Sequence, residues 1–146
     1  MSTRIRTIQV IAFGLIMATF IGCGGGGGSS SSEGTLPTTP SGTPLPARVL
    51  SWVPPTSYVD NTTMNPVTDL DRFEIHVNET GTFADTDPPL AAVSAVNQAT
   101  QEPTKDFNLA NIGSPLTAGL HYYVSLRAVA LTGLKSDFSP PVSFSF

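Results

Sequence analysis

The side chains best suited to nucleophilic and metal chemistry are scarce and scattered here: one cysteine, Cys23, and two histidines, His76 and His121, in 146 residues. A lone cysteine forms no intramolecular disulfide and supplies no paired zinc ligands. The chain contains no Gly-x-Ser-x-Gly elbow and no His-Glu-x-x-His pair, so nucleophilic and zinc hydrolysis lack their parts. His76 falls on the polar side of an alternating strand pattern and His121 next to a turn, which predicts a surface and a turn histidine respectively. Oxygen ligands are more crowded, with Asp60, Asn61, Asp69 and Asp71 before that strand and Asp85 and Asp87 after it. Calcium favours several loop oxygens, but no EF-hand pattern is present, and turn formation accounts for Asp and Asn at such positions. Asn61-Thr62-Thr63 and Asn78-Glu79-Thr80 fit the glycosylation acceptor pattern. Two loop aromatics, Tyr58 and Phe83, are weak candidates for stacking on sugar rings. The expectation is no catalytic set, no metal and no cofactor: a chain that binds rather than reacts.

Around these residues the sequence divides into three parts. Arg4 and Arg6 give a positive start, and Val10 to Ile21 is apolar apart from Gly14 and Thr19. Twelve helical residues span about 18 Å, short of the roughly 30 Å of a hydrocarbon core, so residues 1–22 read as a secretory signal rather than a permanent span. The segment ends in Phe20-Ile21-Gly22-Cys23, which resembles the lipobox of bacterial lipoproteins. That resemblance implies that Cys23 becomes the mature N-terminus and carries acyl chains. One chain anchors marginally, whereas two or more anchor stably at about 0.8 kcal/mol per buried methylene. It also implies a bacterial cell envelope location, with the outer membrane favoured because Gly24 rather than Asp follows the cysteine.

Residues 23–46 hold that cysteine and a linker. Gly24 to Gly28 and Ser29 to Ser32 are followed by a Thr/Pro-rich run with Pro37, Pro40, Pro44 and Pro46. Glycine maximises chain entropy and proline removes hydrogen-bond donors, so the composition predicts a disordered tether with a root-mean-square span of about 25 Å. The five glycines lack the flanking strand and the Lys-Ser/Thr helix start of a phosphate loop.

Residues 47–146 carry strand periodicity. Arg72-Phe73-Glu74-Ile75-His76-Val77 alternates strictly, as does Tyr122, Val124, Leu126, Ala128, Ala130 against Tyr123, Ser125 and Arg127. Val49 to Val53 is a further strand stopped by Pro54-Pro55, and Val142, Phe144 and Phe146 form another after Pro140-Pro141. Phe107 and Leu109 suggest a short one. Residues 90–97 fit helical spacing as well as strand spacing, and the bracketing Pro89 and Pro103 favour an edge strand. Short strands separated by turn signals at this length predict an all-β sandwich of about seven strands.

Several of these stretches together resemble a fibronectin type III domain, an immunoglobulin-like β-sandwich. They are Val49-Leu50-Ser51-Trp52-Val53-Pro54-Pro55, then Asp69 to Ile75, then Leu116-Thr117-Ala118-Gly119-Leu120-His121-Tyr122. Gly133, Ser136, Asp137 and Ser139 echo that family's closing turn. The resemblance implies a core built on Trp52 and Phe73, and a tyrosine corner in which the Tyr122 hydroxyl bonds backbone near Leu116. Ala118 stands where the family has Pro and Leu120 where it has Thr.

Charge narrows the partners. The net charge is −4, and removing Arg4 and Arg6 with the signal takes it to −6, which repels a phosphate backbone and argues against nucleic acid. The expected protein is a non-enzymatic, membrane-anchored module held by Cys23 that meets a protein partner in adhesion or assembly. The alternative is a polysaccharide-binding surface module using Tyr58 and Phe83.

Overall fold

The computed structural model describes residues 9–10, 44–113 and 115–146. Cys23 and the lipobox-like residues before it, with most of the stretches expected to be signal and linker, therefore lie outside the described residues. Residues 45–146 and Gln9–Val10 belong to one compact unit.

The unit is mostly β. Its strands are β1 (Gln9–Val10), β2 (Val49–Val53), β3 (Leu70–Asn78), β4 (Ala91–Ser94), β5 (Asp106–Asn108), β6 (His121–Ala130) and β7 (Val142–Ser145). They form two antiparallel sheets, ordered β1-β2-β5 and β4-β3-β6-β7. The stretch that fits two spacings is an edge strand over Ala91–Ser94. The short strand near Phe107 ends at Asn108, so Leu109 opens a 3₁₀ turn (Leu109–Ile112) instead of continuing it. Asn108 ends the strand by turning its side-chain oxygen onto the Arg48 and Ala110 N–H groups. Gln9 and Val10, read from sequence as leader, pair with Val53 and Trp52 on the β2 edge.

Apolar positions of both sheets meet in one core. Trp52 of β2 lies edge-on to Phe73 of β3 with ring centroids 5.1 Å apart, and Leu50, Ile75, Val124, Leu126 and Ala128 surround them. The indole Nε1 of Trp52 is buried without a hydrogen-bond partner among the described residues. Between β2 and β3 the chain folds a small hairpin, closed by Met64 N–H to Thr56 C=O, and then α1 (Pro66–Asp69). Asn65 caps that turn by accepting from Val67 N–H, while the Asp69 carboxylate accepts from Asn65 N–H. Proline at the first helical position loses nothing, because that N–H has no intrahelical acceptor.

Tyr122 is buried against Phe144, and its hydroxyl accepts from Thr117 N–H at 3.0 Å, one residue beyond Leu116. His121, expected in the turn, is the exposed first residue of β6, opposite Ser145. The outward side of β6 departs more sharply from expectation. Strand alternation turns Tyr123 out, yet every residue from Val124 to Ala130 is buried. Both faces of β6 are covered over that stretch, one by the opposing sheet and the other by loops.

Candidate functional site

Those loops cover the region richest in buried ionisable groups, on the outer face of β3 and β6. The register sets Glu74 opposite Arg127 and His76 opposite Ser125. Arg127 donates from Nε to Glu74 Oε2 at 2.8 Å, and its side chain is only 2% exposed. Lys135 Nζ reaches the same oxygen at 3.0 Å, and Arg72 donates to Glu74 Oε1 at 2.8 Å. Burial alone would raise the Glu74 pKa, but the bonds from Lys135, Arg72 and Arg127 outweigh it and hold the carboxyl at about 2.

His76 corrects the sequence expectation most directly. It alternates onto the face opposite the core, as the pattern requires, but it is 1% exposed rather than a surface histidine. Phe138 covers it at a ring separation of 4.9 Å and Phe83 at 6.4 Å, both edge-on. Phe138 also lies 4.8 Å beneath the Arg127 guanidinium. Neither ring nitrogen of His76 has a hydrogen-bond partner among the described residues, and Glu74 Oε2 is 3.9 Å from Nε2. Burial pushes the imidazole pKa down to about 4, helped by the positive charge of Arg127, so His76 is neutral at ordinary pH.

The covering segment from Lys135 to Ser139 docks through its serines. Ser136 Oγ accepts from Ala128 N–H and donates to Asp137 C=O, while Ser139 Oγ accepts from Leu126 N–H. The backbone returns the bonds, from Ser136 N–H to Ala128 C=O and from Ser139 N–H to Leu126 C=O. Two hydroxyls thus replace ladder partners along a stretch where β7 no longer pairs with β6. On the other flank Gly81 sits under Tyr123. A Cβ there would come within 3.1 Å of the Tyr123 ring, and φ of +74° also disfavours any side chain.

Chemically this arrangement is a clamp. The imidazole is sealed under two phenyl rings, the carboxylate is neutralised by three cations, and the serine hydroxyls are committed to backbone. A cavity of about 230 Å³ at its rim is lined by Asp85, Arg127, Lys135, Ser136 and Asp137. Asp85 contacts Arg127 at a long 3.3 Å from an exposed position, a geometry that contributes little.

The remaining sequence candidates do not gather. Trp52, Phe73 and Tyr122 lie in the interior. Tyr58 packs on the inner core from the β2–β3 hairpin, whereas Phe83 stacks on Phe138 on the outer face, so the two do not share a sugar-binding platform. The larger cleft, about 490 Å³ along the β4–β5 connection, is lined by neither of them. The loop acids are consumed locally: Asp60 accepts from Thr62, Asp69 from Asn65, and Asp87 from Ala84 N–H, while Asp71 pairs with Arg72. Among the described residues no three His, Cys, Asp or Glu side chains are placed to hold a metal ion. The clamp itself was missed from sequence, although Glu74 and Arg127 stand at outward positions of two readable strands with opposite charge. No protein-family model, curated protein or solved structure matches this chain.

Proposed function

We propose that the chain is a lipid-anchored, non-enzymatic lipoprotein of the bacterial cell envelope that presents a fibronectin type III-like β-sandwich to a protein partner. The observation that carries this reading is the order of parts: a positive start, a short apolar run ending in Phe20-Ile21-Gly22-Cys23, a Gly/Ser/Pro linker, and one β unit. The facing β2-β5 and β4-β3-β6-β7 strands, which remain once residues 1–22 and with them β1 are removed, support the sandwich assignment together with an interior Trp52 and the Tyr122 hydroxyl bonded to Thr117. The non-enzymatic reading draws support from the clamp, in which the groups most capable of chemistry hold loops to a sheet. With Tyr58 and Phe83 apart, polysaccharide binding loses the feature that suggested it.

Replacing the acylated residue tests the anchor. The wild-type chain is expected to partition into the detergent phase with an N-terminal mass of acylated Cys23. The Cys23→Ser chain should instead accumulate as a precursor beginning at Met1. A free thiol at Cys23 in the mature membrane-bound chain would overturn the reading.

A further inference from the structure

Strand direction gives the β unit two poles. β3 begins and β6 ends at the same pole, since Leu70 pairs with Ala130. The Ala130–Leu134 turn there is tied to the preceding connection by Leu131 N–H to Asp69 C=O at 3.0 Å. The Thr56–Met64 hairpin belongs to that connection. Val53 leads into this pole, so the chain entering β2 at Val49 does so at the opposite one, where β7 also ends and Gly119 N–H bonds Phe146 C=O.

We propose that the pole formed by the Thr56–Met64 hairpin and the Ala130–Leu134 turn is a docking surface for a second protein that offers an apolar pocket rimmed by Lys or Arg. This names the contact surface of the lipoprotein reading and rests on that reading.

Single exposed apolar residues are ordinary on protein surfaces, so the case rests on their grouping and setting. Leu131 is 66% exposed, the most exposed large hydrophobic residue described, and it stands in a tight turn, where Gly, Asn or Asp is usual. Leu134 closes the same turn and is also exposed, and Val59 is 49% exposed at the hairpin tip. The turn is held in place rather than floating: Ala130 N–H bonds Leu134 C=O, Gly133 N–H bonds Ala130 C=O, and Leu131 N–H bonds Asp69. A preorganised apolar side chain loses little entropy on insertion into a pocket.

The charge around these residues selects the partner. Two cations beside the β3 start and the turn are already paired, Arg72 with Asp71 and Glu74, and Lys135 with Glu74. Asp60 and Asp69 bond only neutral donors, Thr62 for the first and Asn65 and Thr68 for the second, and neither has an ion-pair partner among the described residues. Asp60 at the hairpin and Asp69 beside the turn thus carry negative charge with no ion-pair partner among the described residues. A basic rim complements it, whereas an anionic bilayer or a second copy of the same pole is repelled.

The test uses the full chain in the membranes of the cell that makes it, with photoreactive p-benzoylphenylalanine at position 131, and at position 120 as a control at the other pole. The expected result is one discrete adduct with a different polypeptide from position 131 and none from 120. Leu134→Asp should cut its yield by about thirtyfold, as loss of a central apolar contact does. Asp60→Asn should cut it several-fold and flatten its decline with added salt. Val59→Asp serves the same purpose if Leu134→Asp melts early. An adduct of twice the chain's mass, a lipid adduct, equal adducts from both positions, a yield indifferent to these substitutions, or no adduct overturns the proposal. Acylation of Cys23 is read separately by detergent partition. Acylated chain without the adduct defeats the docking surface alone, and an adduct from unacylated chain defeats the anchor alone.

Discussion

The two faces of β3 and β6 are built from the same strands by opposite means. The inner face, Phe73, Ile75, Val124, Leu126 and Ala128, meets the second sheet through apolar contact alone. The outer face, Glu74, His76, Ser125 and Arg127, is equally buried, but under loops: Glu74 and Arg127 through a charge-assisted hydrogen bond, Ser125 through a bond to Ser139 C=O, and His76 under two phenyl rings. Apolar burial is non-directional and tolerates small shifts. A buried ion cluster carries a large desolvation penalty that only correct geometry offsets, so it selects one loop arrangement more than it adds stability. The difference suggests a division of labour in which the inner face stabilises the sheets and the outer face positions the loops that cover them.

The largest expected effects come from breaking each face at its centre. Phe73→Ala should destabilise by about 3–5 kcal/mol through an unfilled cavity beside Trp52. Glu74→Met should cost a similar amount, about 3–5 kcal/mol, because Arg127 is left buried with the exposed Asp85, at a long 3.3 Å, as its one ion-pair partner among the described residues. The faces should then part company. Adding Arg127→Leu to Glu74→Met should recover most of the loss, since an apolar pair needs no compensation. Urea midpoints at constant slope measure all three. If Glu74→Met proves neutral, the outer face behaves as solvated surface and the comparison fails.

Acid should act on the outer face first. His76 titrates at about 4 in the fold against an ordinary 6.5, so the unfolded chain binds the extra proton between those values. Stability is then full above about pH 6.5 and falls as pH drops toward 4, by an amount of order 3 kcal/mol at most. Glu74, held at about 2 against 4.5, adds a second loss below pH 4.5 as its carboxylate is protonated. His76→Phe, which suits the company of Phe83 and Phe138, should abolish the upper phase and leave the lower one. A melting profile between pH 7 and 4 that is unchanged by His76→Phe would refute the assignment.

The smallest effects compare neighbours on one strand. Tyr122→Phe removes the acceptor for Thr117 N–H and should cost about 1 kcal/mol. Tyr123→Phe, on the exposed side over Gly81, keeps the ring contact and should stay within about 0.5 kcal/mol. The reverse order would mean that β6 is out of register by one residue.

Much of the scaffold was legible from local pattern. Alternation marked β3 and β6 and told which residues share a face, the Pro pairs bounded β2 and β7, and Gly119 followed by Tyr122 marked the corner. The edge strand at Ala91–Ser94 was open between two spacings, because a run that short satisfies both periods. The 3₁₀ turn at Leu109 was not visible, since it depends on the Asn108 side chain finding Arg48 in a distant segment.

What the sequence determined by itself is therefore what neighbouring residues decide together: the alternation of the strands, and the sidedness of Phe73 against Glu74 and of Tyr122 against Tyr123. Tertiary structure alone decided what covers each side. Period two separates the faces of a strand but is silent about the register that sets Glu74 against Arg127. Nor does it show that Phe83 and Phe138, from loops far apart in the chain, close over His76. An outward charged residue looks the same in sequence whether water or a phenyl ring lies above it, because its burial is a property of distant segments and not of its own strand.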